Sequence, residues 1–136
     1  MDPLERFVAA QSQVYPRALA ELRSGEKRSH WMWFVFPQIA GLGQSAMARR
    51  YALADLAEAE AYLAHPLLGP RLEACTDAML GWAGRRTAAA ILGAVDALKF
   101  RSSMTLFELA GSDPRFARAL DGFCKGQRDP LTLAQF

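Results

Sequence analysis

The sequence contains few of the residues that build disulfide frameworks and zinc sites. Its two cysteines, Cys75 and Cys124, stand apart with no Cys-x-x-Cys pair, a usage typical of proteins in a reducing compartment. Its two histidines, His30 and His65, have no metal-ligand spacing to each other or to a cysteine. We therefore expect no metal, no cofactor and a cytoplasmic location.

Charge of one sign and long apolar runs are also scarce. Sixteen basic residues stand against 14 acidic ones, giving a net charge of +2, which is too small to predict binding to duplex nucleic acid. No segment has the form of an export signal, and none approaches the ~20 apolar residues that a membrane span requires. The sequence predicts neither export nor a membrane anchor.

Strand-forming residues are few, whereas helix-forming residues are abundant. The chain has 25 alanines and 18 leucines but only four valines, two isoleucines and four threonines, which favours helix throughout. Of its 136 residues, 51% are hydrophobic and 22% are charged, a balance typical of a globular protein with a buried core. We predict a single, mostly α domain over residues 1–136.

Capping residues and apolar spacing divide the chain into helices. Asp2 starts a first helix that ends at Gly25, and Pro16 is expected to kink it. Apolar residues at helical spacing predict the later elements. These span 46–51, 55–63, 67 or 70 to 82, 88–110 (one helix, or two broken at Gly93) and 114–123.

An aromatic block interrupts the helical periodicity between Glu26 and Ser45. Its four rings, Trp31, Trp33, Phe34 and Phe36, predict either a strand or other non-helical segment that packs in the core, or the wall of a small-molecule pocket. Polar and flexible neighbours favour the pocket, because ligand sites combine aromatic walls with a few polar groups. These neighbours are His30, Gln38, Gly41, Gly43 and Ser45.

The glycine-rich stretch Gly41–Ser45 precedes a predicted helix. Small residues in this position allow backbone N–H groups to approach an anion, as they do in phosphate-binding loops. The alternative is a turn in which Ser45 caps the helix.

The segment Ala94–Ala110 predicts a central helix against which the aromatic block packs. It is apolar around most of its circumference, with Val95 and Leu98 among the apolar residues, so we expect it to be buried. We predict the functional site at its junction with the aromatic block.

Polar residues form one stripe on this helix. Asp96, Lys99 and Ser103 lie at i, i+3 and i+7, with Ser102 beside them, so the stripe is either a surface ion pair or the lining of a site. In a site, Asp96 is the candidate general base or ribose-binding group. Lys99 is the candidate for binding phosphate or stabilising negative charge, and the two serines would orient ligand oxygens.

Three motifs carry a family resemblance: HWMWFVFPQ at 30–38, DALKFRSSMTLF at 96–107 and GQRDPLTL at 126–133. With them, the chain resembles over nearly its whole length a bacterial domain family of unknown function whose members are often labelled calpastatin. The resemblance implies a small α-helical cytoplasmic domain and no particular activity.

The order of the motifs is also distantly similar to small α-helical glycosidases that process ADP-ribose derivatives. That similarity implies cleavage of an N-glycosidic bond, with the aromatic block stacking on a base or ribosyl unit. Lys99 or the glycine turn would hold phosphate, and Asp96 would activate water or stabilise an oxocarbenium-like transition state.

Two functional hypotheses follow. The first is a pocket for a phosphorylated or nucleotide-like small molecule, with hydrolysis as its activity. The second is a non-catalytic module that presents exposed Trp31, Trp33 and Phe36 to a protein partner. Solvent exposure of these rings separates the two, because a pocket hides them and an interface displays them.

Overall fold

Nine helices form the part of the chain that the computed structural model describes, residues 2–136. Within that range there is no strand, only one isolated parallel bridge between Ile39 and Leu53, so the predicted mostly α fold is confirmed. No helix in the described range has the length and apolar character to cross a bilayer. The helices are α1 (Glu5–Ser24), α2 (Met32–Val35), α3 (Ala46–Arg50), α4 (Leu56–Ala64), α5 (Leu68–Leu80), α6 (Ala88–Leu92), α7 (Ala94–Ala110), α8 (Pro114–Cys124) and α9 (Pro130–Leu133).

Local capping chemistry sets most of the helix boundaries. Gly25 adopts a left-handed conformation with φ of 79° and ends α1, because glycine reaches positive φ without steric cost. Gly93, with φ of 91°, separates α6 from α7, so the segment from 88 to 110 is two helices. Side-chain oxygens cap the starts of five helices, at Ser45, Asp55, Thr87, Asp113 and Asp129.

Helix α7 is the central element, since it packs against α4, α6, α8 and α9. Phe100 and Phe107 are fully buried on it. The expectation that its apolar residues are all buried is wrong for Val95 and Leu98, which are 68% and 64% exposed. Both lie in the first turns of α7, where they line a surface cleft rather than the core.

The aromatic block contains one helical turn, α2, where the sequence predicted a non-helical segment. Polar side chains from α1 and α4 hold this turn in place. The Gln11 amide donates to the Phe34 carbonyl at 2.6 Å, and the Tyr62 hydroxyl donates to the same oxygen at 3.2 Å. After the turn, the Phe36 ring meets Phe100 of α7 edge to face at 5.1 Å, so the block packs on the central helix as predicted.

Candidate functional site

A cleft of about 490 Å³ lies where the end of the aromatic block, the start of α7 and the start of α9 come together. Its volume falls within the range of small-molecule sites, roughly 300–1,000 Å³. The polar side chains in its lining are Gln38, Gln44, Ser45, Lys99, Ser102 and Asp129. The large apolar side chains in its lining are Trp33, Leu42, Val95, Leu98 and Leu131.

About half of the site residues predicted from the sequence line the cleft. Those in its lining are Trp33, Gln38, Gly43, Ser45, Lys99 and Ser102. His30 and Gly41 are exposed and lie outside that lining, and Ser103 is buried in the core. The junction of the aromatic block with α7 is therefore a concave surface lined by six of these residues.

The two remaining nominated rings belong to the core. Trp31 is 0% exposed and Phe36 is 1% exposed, so the expectation that both face solvent as part of an interaction patch is wrong. Their burial removes large apolar surfaces from water, and the Trp31 indole N–H is satisfied by the Glu21 carboxylate at 2.9 Å. Of the two tryptophans in the block, only Trp33 reaches the cleft.

Lys99 is the positively charged residue in the lining of the cleft, and it forms an ion pair with Asp96, which lies outside that lining. The Lys99 ammonium lies 3.3 Å from one carboxylate oxygen of Asp96, while the Lys27 ammonium lies 2.9 Å from the other. Lys99 also stands over the Trp33 ring at 4.4 Å from its centroid, a cation–π geometry. Asp96 is absent from the lining of the cleft, and its contacts place it as a bridge between two lysines.

The cluster of Lys27, Asp96 and Lys99 has a net positive charge, and Lys99 places part of it in the lining of the cleft. Two ammonium groups share the Asp96 carboxylate, so Lys27, Asp96 and Lys99 together carry a formal charge of +1. An ammonium has three N–H donors, and the ion pair with Asp96 uses one of those on Lys99. The arrangement therefore leaves Lys99 able to bind an anion.

The glycine stretch forms a turn whose geometry is explained by packing. The Ser45 hydroxyl accepts a hydrogen bond from the Ala48 N–H at 3.1 Å and caps α3, as in the turn alternative. A β-carbon at Gly43 would lie 2.4 Å from the β-carbon of Ala48, so the close approach of these two segments requires glycine. Helix α3 is only five residues long, which gives little dipole for a phosphate cradle.

Asp129 is the charged residue in the lining of the cleft that sequence reasoning missed. It caps α9, and one of its oxygens accepts a hydrogen bond from the Ser102 hydroxyl at 3.0 Å. The pattern Asp-Pro signals a helix start and was available in the sequence. Its proximity to Ser102, 27 residues away, depends on how α9 docks on α7.

The Glu21 carboxylate on α1 binds the residues at the start of the aromatic block. One oxygen of Glu21 accepts from the backbone N–H groups of Arg28 and Ser29 and from the Trp31 indole, and the other accepts from the Ser29 hydroxyl. Partial burial raises the pKa of Glu21, but these hydrogen bonds lower it more, and the pKa falls to about 2. The ionised carboxylate thus holds Trp31 in the core.

Acid is expected to reduce the stability that the Glu21 carboxylate provides, and the Glu21→Gln variant measures this effect. The folded-state pKa of about 2 lies below the ordinary value of 4.5, so the stabilisation by Glu21 is complete above pH 4.5 and is lost as the pH falls towards 2. We expect the difference in unfolding free energy between wild type and Glu21→Gln to shrink over that interval, measured by urea unfolding at several pH values. The exposed Glu60 provides the control, Glu60→Gln. A Glu21→Gln difference that stays constant with pH would contradict the prediction.

Comparisons with known proteins agree with the fold. The chain is similar to the crystal structure of the conserved hypothetical protein Rv1873 from Mycobacterium tuberculosis, with a TM-score of 0.96 and 48% identity over 99% of this chain and 98% of that one. No curated protein matches the chain. The names of the matches mention neither calpastatin nor a glycosidase. The model of a family described as a protein of unknown function (DUF1810) matches residues 1–136, and the chain belongs to that family.

Proposed function

We propose that the cleft binds a small phosphorylated, nucleotide-like molecule. The observation that carries the proposal is the placement of the Lys99 ammonium beside the Trp33 ring in the wall of one 490 Å³ cleft. The ammonium supplies charge for a phosphate. The exposed apolar side chains of Val95, Leu98 and Leu131 surround the same space and provide packing for a base or another flat apolar group.

The reaction that we propose for such a ligand is hydrolysis of an N-glycosidic bond, in which water forms the new bond to the sugar carbon and the base leaves with a proton. Its transition state carries positive charge on the sugar, which a nearby carboxylate stabilises. Because both oxygens of Asp96 contact ammonium groups, Asp96 in this proposal positions Lys99 rather than activating water. Asp129 is the carboxylate in the lining of the cleft. Release of free base from AMP or ADP-ribose, followed by chromatography, tests the reaction separately from binding.

The Lys99→Gln variant tests the binding proposal. We expect it to weaken binding of AMP and inorganic phosphate by about tenfold or more, because a hydrogen bond to a charged group contributes roughly 1.5–3 kcal/mol. Isothermal titration calorimetry measures the affinity, and thermal unfolding reports whether the fold is retained. Asp96 keeps its contact with Lys27 in this variant, so we expect little loss of stability.

A matched control removes a lysine elsewhere. Lys125 is exposed and lies in a different groove, at the end of α8. Lys125→Gln therefore lowers the net charge by the same amount without altering the cleft. Equal affinities of Lys99→Gln and wild type for both ligands, or equal losses in the two variants, would overturn the proposal.

A further inference from the structure

The two carboxylate oxygens of Asp129 have different surroundings. Oδ2 accepts three hydrogen bonds: from the Ser102 hydroxyl at 3.0 Å, from the Thr132 N–H at 3.0 Å and from the Thr132 hydroxyl at 2.6 Å. Oδ1 accepts none from residues 2–136, although Asp129 is only 9% exposed and lines the cleft. Within residues 2–136, Ser103 Oγ is the one buried side-chain polar atom without a partner, so Oδ1 keeps contact with solvent and is able to accept a hydrogen bond from a ligand.

The fixed orientation of this carboxylate strengthens the argument. The Asp129 N–H donates to the Thr105 hydroxyl at 3.0 Å, which attaches the backbone to α7. The Arg101 guanidinium donates to the carbonyls of Gln127 and Arg128, both at 2.8 Å. Backbone and side chain are therefore both held, and Oδ1 needs little reorganisation to meet a ligand.

Asp129 and Lys99 both line the cleft, and Ser102 of α7 lies in the same lining. Ser102, which donates to Asp129, follows Lys99 by three residues, a rise of about 4.5 Å on the same face of the helix. Gln38 also lines this space, and its side-chain amide makes no hydrogen bond within residues 2–136. The lining of the cleft thus includes a cation, an acceptor and an amide.

We infer that the ligand of the cleft is a sugar phosphate, in which a sugar hydroxyl donates to Asp129 Oδ1 while Lys99 binds the phosphate. This inference rests on the proposed phosphate site and adds the chemistry of the group next to the phosphate. A ligand that brings only acceptors to Asp129 is repelled by its negative charge, whereas a hydroxyl gains a hydrogen bond to a charged group. The acceptor therefore selects hydroxyl-bearing phosphates over simple ones.

The Asp129→Asn variant reverses the hydrogen-bonding character of this position while keeping its structural contacts. All three bonds to Oδ2 require an acceptor, so the amide oxygen of asparagine takes that place. Its NH2 group then occupies the position of Oδ1 and is a donor there instead of an acceptor. The cap of α9 remains, because asparagine is as good an N-cap as aspartate.

The experiment compares ribose 5-phosphate, methyl phosphate and inorganic phosphate by titration calorimetry. We expect wild type to bind ribose 5-phosphate at least tenfold more tightly than methyl phosphate, the preference expected of one charge-assisted hydrogen bond. We expect Asp129→Asn to bind ribose 5-phosphate at least tenfold more weakly, while its affinity for inorganic phosphate is unchanged or higher. Glu60→Gln serves as the control for a lost negative charge, and thermal unfolding confirms that each variant is folded.

The outcomes separate this inference from the proposed function. If the phosphates bind through Lys99 but wild type does not prefer ribose 5-phosphate, the inference is overturned and the phosphate site stands. The same conclusion follows if a folded Asp129→Asn variant keeps the wild-type preference. If no phosphate binds, or if binding is indifferent to Lys99→Gln, both the proposed function and the inference are overturned. The wild-type comparison decides the matter even if Asp129→Asn fails to fold.

Discussion

Replacing Trp31 with alanine is expected to lower the free energy of unfolding by about 3–5 kcal/mol, the usual cost of removing a large aromatic side chain from a core. The indole is fully buried, its N–H donates to Glu21, and its ring lies 6.4 Å from the Phe36 ring. The Lys27 ammonium stands over it at 5.2 Å. Truncation therefore leaves a cavity and removes a donor from a carboxylate that organises the preceding loop.

Trp33→Ala is the matched comparison, two residues further along the same block. This ring is half-buried and lines the cleft, with Lys99 over it. We expect a smaller loss of stability, roughly 1–2 kcal/mol from the apolar area involved, and a clear loss of affinity for AMP. Urea unfolding and titration calorimetry on both variants give the two quantities.

The pair of variants decides which tryptophan has which role. A loss of stability in Trp33→Ala as large as in Trp31→Ala would place both rings in the core and weaken the case for a ligand wall. A stable Trp31→Ala variant would contradict its assignment to the core. Retained AMP affinity in a folded Trp33→Ala variant would remove the apolar contact from the proposed site.

Features set by neighbouring residues could be predicted from the sequence. Gly25 ends α1 and Thr87 caps α6 through contacts within about four residues, so the chain itself carries the signal. The central helix follows the same rule, and α7 begins and ends at the predicted residues, Ala94 and Ala110. Local chemistry therefore accounts for most of the helical layout.

Features set by distant contacts could not be predicted. Trp31 and Trp33 have the same chemistry, yet α1 covers one and leaves the other at the cleft, through Glu21 and the packing of α2. Val95 and Leu98 are apolar, and periodicity alone does not reveal that their side chains are exposed to solvent. The sequence therefore predicted that the aromatic block packs on α7 but could not tell which of its rings are buried and which line the cleft.

The three sequence motifs at 30–38, 96–107 and 126–133 contact one another in the fold. Arg101 of the second motif donates to carbonyls at 127 and 128 of the third, and Arg128 in turn donates to Glu108 at 2.8 Å, one residue beyond the second motif. The first motif meets the second where Phe36 packs on Phe100. The three motifs thus form one connected unit around α7, and the cleft lies on its surface.

Gly69→Ala is expected to destabilise the protein by about 1–3 kcal/mol, the usual cost of forcing extra volume into a packed position. A β-carbon at residue 69 would lie 2.2 Å from the backbone oxygen of Leu63. The obstacle is backbone rather than a flexible side chain, so α4 and α5 have to move apart to relieve it. His65 resists that movement, because its Nδ1 accepts from the N–H groups of Leu67 and Leu68 at the same corner.

Gly81→Ala, just past the other end of α5, is the control for Gly69→Ala. Both substitutions remove a glycine from the unfolded chain, but only the one at Gly69 introduces a steric clash. Gly81 has helical φ and ψ of −60° and −20°, and the nearest atom to an added β-carbon is 3.5 Å away. There, alanine is expected to stabilise the protein by about 0.4–1 kcal/mol through the lower entropy of the unfolded chain. Opposite signs of the two changes in urea unfolding would establish that Gly69 is required for the close approach of α4 and α5. A gain of stability at both positions would contradict that requirement and mean that the corner between these helices relaxes freely.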